Sequence, residues 1–110
     1  MNEKKARALV YARSGGICEV CSRARATNWH HRKNQGQGGL WCPTNGLHVC
    51  GSGTTGCHGH ITLHPAVSRE QGWSVPSWND PADTPVWLAL RGWVYLQADG
   101  SVVPTERNVA

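Results

Sequence analysis

The cysteines constrain this chain more than any other feature. One pair, Cys18-Glu19-Val20-Cys21, precedes the central third and a second, Cys50 and Cys57, closes it. In 110 residues with 39% hydrophobic side chains and no phenylalanine, apolar packing alone gives a thin core, and short domains of that kind need a staple. A Cys-x-x-Cys knuckle lets two thiolates grip one tetrahedral zinc. The redox alternative requires a strand before the pair and a helix starting at it, whereas here a helix-like run and Gly15-Gly16 come first. Between Cys50 and Cys57 stand Gly51-Ser52-Gly53-Thr54-Thr55-Gly56, small polar residues suited to a loop that brings two sulfurs together. Met1-Asn2-Glu3-Lys4-Lys5 leads into a charged segment without the apolar stretch of a secretory signal, and no window approaches a membrane span. The expected location is therefore cytoplasmic, where reduced thiols favour zinc over disulfides. Cys18, Cys21, Cys50 and Cys57 are thus assigned to one structural Zn²⁺. Cys42 is left as a half-buried free thiol, the alternative being that it replaces one of the four.

The elements follow from local pattern. Residues 3–14 combine good helix formers with Ala6, Leu9, Val10 and Arg13 at helical spacing, and Ser14-Gly15-Gly16 stops the run. A first strand is expected within 24–32, a flexible loop at Gly36–Gly39, a second strand at 45–49 and a helix from about Gly56 ending before Pro65. Residues 66–71 suggest another helical turn or two closed by Gly72, and 73–83 show no period. Residues 86–103 read as a β-hairpin or meander with turns at Arg91-Gly92 and Asp99-Gly100, and 105–110 as a frayed tail. The expected molecule is one small α+β domain in three parts: a basic helix at 1–16, a zinc knuckle and central motif at 17–65, and an extension at 66–110.

Chemistry concentrates between Trp29 and His58. Successive residues on a strand face opposite ways, so His30 and His31 divide two tasks: one ring ligates a metal facing the helix, the other faces a substrate as a general base near neutral pH. His58, early on that helix, is the second metal ligand. Two imidazoles leave coordination positions open for a substrate. Asn45, donor and acceptor at once, pins the loop between the strands. A solvated histidine pair is the competing reading, and His48, His60 and His64 fall mostly under it; His60 and His64, one helical turn apart, have a third-ligand reading as well. Lys and Arg exceed Asp and Glu by 11 to 7, and Lys4, Lys5, Arg7, Arg13, Arg32 and Lys33 all belong to the first third.

Taken together, His30-His31, Asn45 and Cys57-His58, braced by Cys18-x-x-Cys21 and Cys50, resemble the HNH endonuclease motif over about residues 7 to 75. The segments 15–21, 30–33 and 47–59 resemble those of small HNH proteins of tailed phages infecting actinobacteria. The resemblance implies a ββα-metal fold in which His30 and His58 hold a catalytic Mg²⁺, Mn²⁺ or Ni²⁺, His31 is the general base and Asn45 the central asparagine. It implies hydrolysis of DNA to 5′-phosphate and 3′-hydroxyl ends with low sequence specificity, in phage DNA processing or packaging beside the large terminase. Arg32 and Lys33 are then candidates for gripping the scissile phosphate, and Lys4, Lys5, Arg7 and Arg13 for non-specific backbone contact. Two departures stand out: the Cys50–Cys57 spacer is longer than the usual two residues, and Thr62 occupies a position where some relatives have a further histidine, which points to a two-histidine site. The rival expectation is a non-catalytic, zinc-braced DNA-binding or packaging accessory protein, with Trp87, Trp93 and Tyr95 either docking a partner or forming a second small core.

Overall fold

The structure is a computed structural model that describes residues 1–106. Helix α1 (Glu3–Ser14) starts on Asn2, whose side chain accepts from Lys5 N at 2.8 Å, and ends on Gly15, whose φ of 65° returns its N–H to Tyr11 O. Only Ala6, Val10 and Arg13 of this helix are buried, so it packs by one narrow face. Strands β1 (Asn28–His31) and β2 (Gly46–Val49) form an antiparallel hairpin in which Trp29 faces His48, His30 faces Leu47 and His31 faces Gly46. Gly46 has no alternative, because a Cβ there would overlap the Trp29 indole. Helix α2 (Gly56–Leu63) follows, then the short α3 (Pro65–Glu70), which Pro65 begins. Strands β3 (Val86–Leu88), β4 (Gly92–Leu96) and β5 (Val102–Pro104) make an antiparallel meander.

Apolar residues from these parts meet in one core: Leu47 and Val49 of β2, Ile61 of α2, Trp73, Val86 and Leu88 of β3, and Val94 and Leu96 of β4, beside Cys18 and Cys50. The expected second small core at the C-terminus is therefore corrected. The inward positions of the meander complete the main core, while Trp87 and Trp93 pack against each other at 6.0 Å outside it. Thr105, at the head of the expected frayed tail, donates its N–H to Trp93 O at 2.9 Å, and residues 107–110 lie outside the described residues. Among the described residues, no helix is long and apolar enough to cross a membrane.

Two arginines expected to meet DNA are instead internal fasteners. Arg13 is buried, with its guanidinium on the Glu19 carboxylate at 2.7 and 2.9 Å and on the carbonyls of Pro43 and Gly46, so it latches α1 to the hairpin. Arg32 is 2% exposed and donates to the carbonyls of Thr44, Gly72, Pro81 and Thr84 at 2.8–3.0 Å. Burial lowers its pKa to about 9, with Arg13 adding to the effect, and the four carbonyl dipoles compensate the charge. A planar fork with five donors fits this cage, and an ammonium does not. We expect Arg32→Lys and Arg32→Met each to lower unfolding free energy by at least about 3 kcal/mol in urea titrations, since buried carbonyls lose their donors.

Candidate functional site

The four cysteines converge as expected. The loop 51–56 doubles back so closely that a Cβ at Gly51 would overlap the Thr55 carbonyl, and this returns Cys57 to Cys50. The Sγ atoms of Cys18, Cys21, Cys50 and Cys57 all lie within 4.8 Å of one another, with Cys21 and Cys50 at 3.9 Å. A tetrahedron of about 2.3 Å Zn–S bonds has edges of about 3.8 Å, so the cluster suits a zinc-like ion. Backbone N–H groups of Arg23 and Cys57 point at Cys21 Sγ and Cys50 Sγ, both at 3.4 Å, as thiolates require. Burial drives the thiols of Cys18 and Cys57 upward, and for Cys57 the proximity of Cys18 adds to it. That crowding of potential negative charge is what a dication relieves. Cys42 stays apart, half-buried and accepting from Thr44 Oγ1 at 3.2 Å.

The hairpin separates the two histidines. His30 lies on the side of α2, its ring centroid 5.5 Å from that of His58 in an edge-to-face arrangement. Its Nε2 is 2.7 Å from the carbonyl of Trp73, which fixes the proton on Nε2 and leaves the Nδ1 lone pair for a ligand. Trp73 is itself held, since its Nε1 donates to Trp87 O at 2.7 Å. Burial brings the His30 pKa down to about 4, against the pull of the Trp73 carbonyl, and His58 contributes in the same direction. The ring is therefore neutral at pH 7, as a metal ligand must be. His58 Nδ1 is buried without a hydrogen-bond partner. An unpartnered imidazole nitrogen beside a second imidazole is an arrangement that could hold a cation.

His31 lies on the opposite face, its ring 4.5 Å from Trp41 and 5.8 Å from Trp29, with a buried Nε2 that has no partner. Burial, assisted by Arg7 and opposed by Glu3, lowers its pKa and keeps it in the basic, unprotonated form. Asn45 is buried at the foot of β2. Its Oδ1 accepts from Lys33 N at 2.7 Å, and its Nδ2 donates to Lys33 O and Leu40 O at 3.0 and 3.1 Å, so it ties the end of β1 to the loop. Lys33 stays at the surface, with Nζ 3.2 Å from Asn79 O. Lys4, Lys5 and Arg7 are exposed; Arg7 pairs with Glu3 at 2.9 Å and lies 4.9 Å over the Trp41 ring. His60 and His64 stack on each other on the exterior, and His48 Nδ1 is 2.8 Å from Ser14 Oγ; none of these three joins the His30–His58 pair.

Trp29, Trp41 and Trp73 frame the site yet carried no signal in the sequence, because isolated tryptophans in aperiodic segments look alike whether they fill a core or border a histidine. Comparison of the chain with family models, curated proteins and solved structures gave no match.

Proposed function

We propose that this protein is a metal-dependent, HNH-type DNA endonuclease whose ββα unit consists of β1, β2 and α2. The observation that carries the reading is the His30–His58 pair: rings 5.5 Å apart, one nitrogen of His30 fixed by Trp73 and a buried nitrogen of His58 unpartnered. A divalent ion such as Mg²⁺, Mn²⁺ or Ni²⁺ held there would neutralise charge on a phosphate oxygen and on the departing 3′-oxygen. The chain supplies the remainder. In this reading His31 would take the proton of the attacking water at Nδ1, its Nε2 being buried, while Asn45 holds the strand end that carries it and Lys33 grips phosphate. The products are 5′-phosphate and 3′-hydroxyl ends. With Arg13 and Arg32 internal, the basic surface among the described residues is carried by Lys4, Lys5, Arg7, Arg23, Arg25, Lys33, Arg69 and Arg91, side chains suited to phosphate contact, which carries no sequence information, and low sequence specificity is the reading adopted.

Incubation of the zinc-loaded protein with supercoiled plasmid should give nicked or linear DNA with Mg²⁺, Mn²⁺ or Ni²⁺ and none when no ion is added. His58→Ala should reduce the rate at least about 100-fold. Cleavage that ignores added metal, or survives that substitution, would refute the reading. A non-catalytic DNA-binding protein is the second reading, favoured by the enclosure of the His31 ring between Trp29 and Trp41. It is distinguished by DNA binding without cleavage under any metal. For a packaging role beside a large terminase, Trp87→Ala and Trp93→Ala are the informative variants, because truncating the meander would remove core residues Val86, Leu88, Val94 and Leu96.

A further inference from the structure

Residues 38–40 and the segment 77–81 line an open cleft of about 420 Å³ next to the end of β1. Its lining presents two large apolar side chains to solvent, Trp78 at 76% exposure and Leu40 at 70%. The Trp78 ring lies under Arg69, whose Cζ is 5.6 Å from its centroid, so a cation and not apolar packing accompanies it. Lys33 spans the cleft, with its ammonium on a carbonyl and in no ion pair among the described residues. Asp80 also belongs to the lining, and its Oδ1 accepts from Ala82 N at 2.9 Å. Asn45 forms part of the lining and pins Lys33, two residues beyond His31, so the cleft and the histidines share one rigid support. Gly39 shapes the wall, since a Cβ there would overlap the Lys33 carbonyl.

We infer that this cleft seats an unstacked base of single-stranded DNA, with Trp78 as the stacking platform and Lys33 on the adjoining phosphate. An exposed indole, a second apolar wall and an unpaired ammonium form the combination that binds single strands, where each base offers a π-face and each phosphate a charge. A cleft of this volume admits one small planar group and excludes a double helix. The inference rests on DNA being the substrate, as proposed above, and names the form of DNA that is preferred: unpaired segments, such as gaps, forks or displaced strands.

The test uses the full-length, zinc-loaded protein carrying His31→Ala, so that binding is read without cleavage. Fluorescence anisotropy compares oligo-dT of about 20 nucleotides, a blunt duplex of equal length and an abasic oligomer with the same phosphates. Oligo-dT should bind more tightly than the duplex. Adding Trp78→Ala should weaken oligo-dT binding about tenfold, leave duplex and abasic binding unchanged and leave the melting temperature unaltered, whereas Trp78→Phe restores part of the loss. Unchanged oligo-dT affinity in Trp78→Ala, an equal loss on all three DNAs, or no binding to any of them would overturn the inference. Failure of the nuclease reading appears in the plasmid assay and leaves this binding comparison intact, so the two outcomes are separable.

Discussion

Replacing His31 by alanine is expected to slow metal-dependent plasmid cleavage by about 10²- to 10⁴-fold, the range in which a positioned general base contributes. DNA affinity and zinc content should stay as in the parent, because the ring of His31 makes no hydrogen bond from its buried Nε2 and the cysteine cluster belongs to other segments. The asymmetry with His30 is informative. His30 is tied to Trp73 O and lies beside His58, so its loss should reduce binding of the added ion as well as the rate. Rate against metal concentration separates the two roles: His31→Ala lowers the plateau at unchanged midpoint, and His30→Ala shifts the midpoint. A His31 variant that cleaves as fast as the parent would remove the proposed base.

Removal of the zinc-like ion should have the largest effect on the fold. In small domains such a site contributes about 10–16 kcal/mol of apparent binding free energy, as large as the whole net stability of a domain this size. Protein stripped by a strong chelator, or carrying Cys18→Ser, is therefore expected to lose its cooperative thermal transition and near-ultraviolet tryptophan signal, and readdition of Zn²⁺ should restore both in the stripped wild type. Metal analysis should give one tightly held ion per chain. Cys42→Ser should change neither result, since Cys42 lies outside the cluster. A chelated protein that melts as the loaded one does would show that the four thiols are held by packing alone.

Much of this architecture was legible from short-range pattern. The helix at Glu3–Ser14, the turn of Gly15, the paired strands around 28–31 and 46–49, and the gathering of four cysteines depend on local propensity, capping and the reach of short loops. So does the division of His30 and His31 between two faces, which is the pleat of a strand. What the sequence hid depends on distant partners. Arg13 and Arg32 read as surface cations because nothing local distinguishes an arginine facing water from one whose four acceptors lie up to 52 residues away. Trp73, which sets the tautomer of His30, sits in an aperiodic stretch, and only the docking of the meander brings Trp87 to it. The C-terminal strands joined the main core for the same reason: alternation shows that one face is apolar but does not show what covers it.

The Arg32 cage bears on the order in which this fold can be completed during synthesis. Its carbonyls at Gly72, Pro81 and Thr84 leave the ribosome well after His30, His31 and His58 have been made, and the Trp87 carbonyl that anchors Trp73 comes later still. An emerging polypeptide thus carries the three histidines before the carbonyls that hold their surroundings in place have been made, and their alignment waits for residues 72–87.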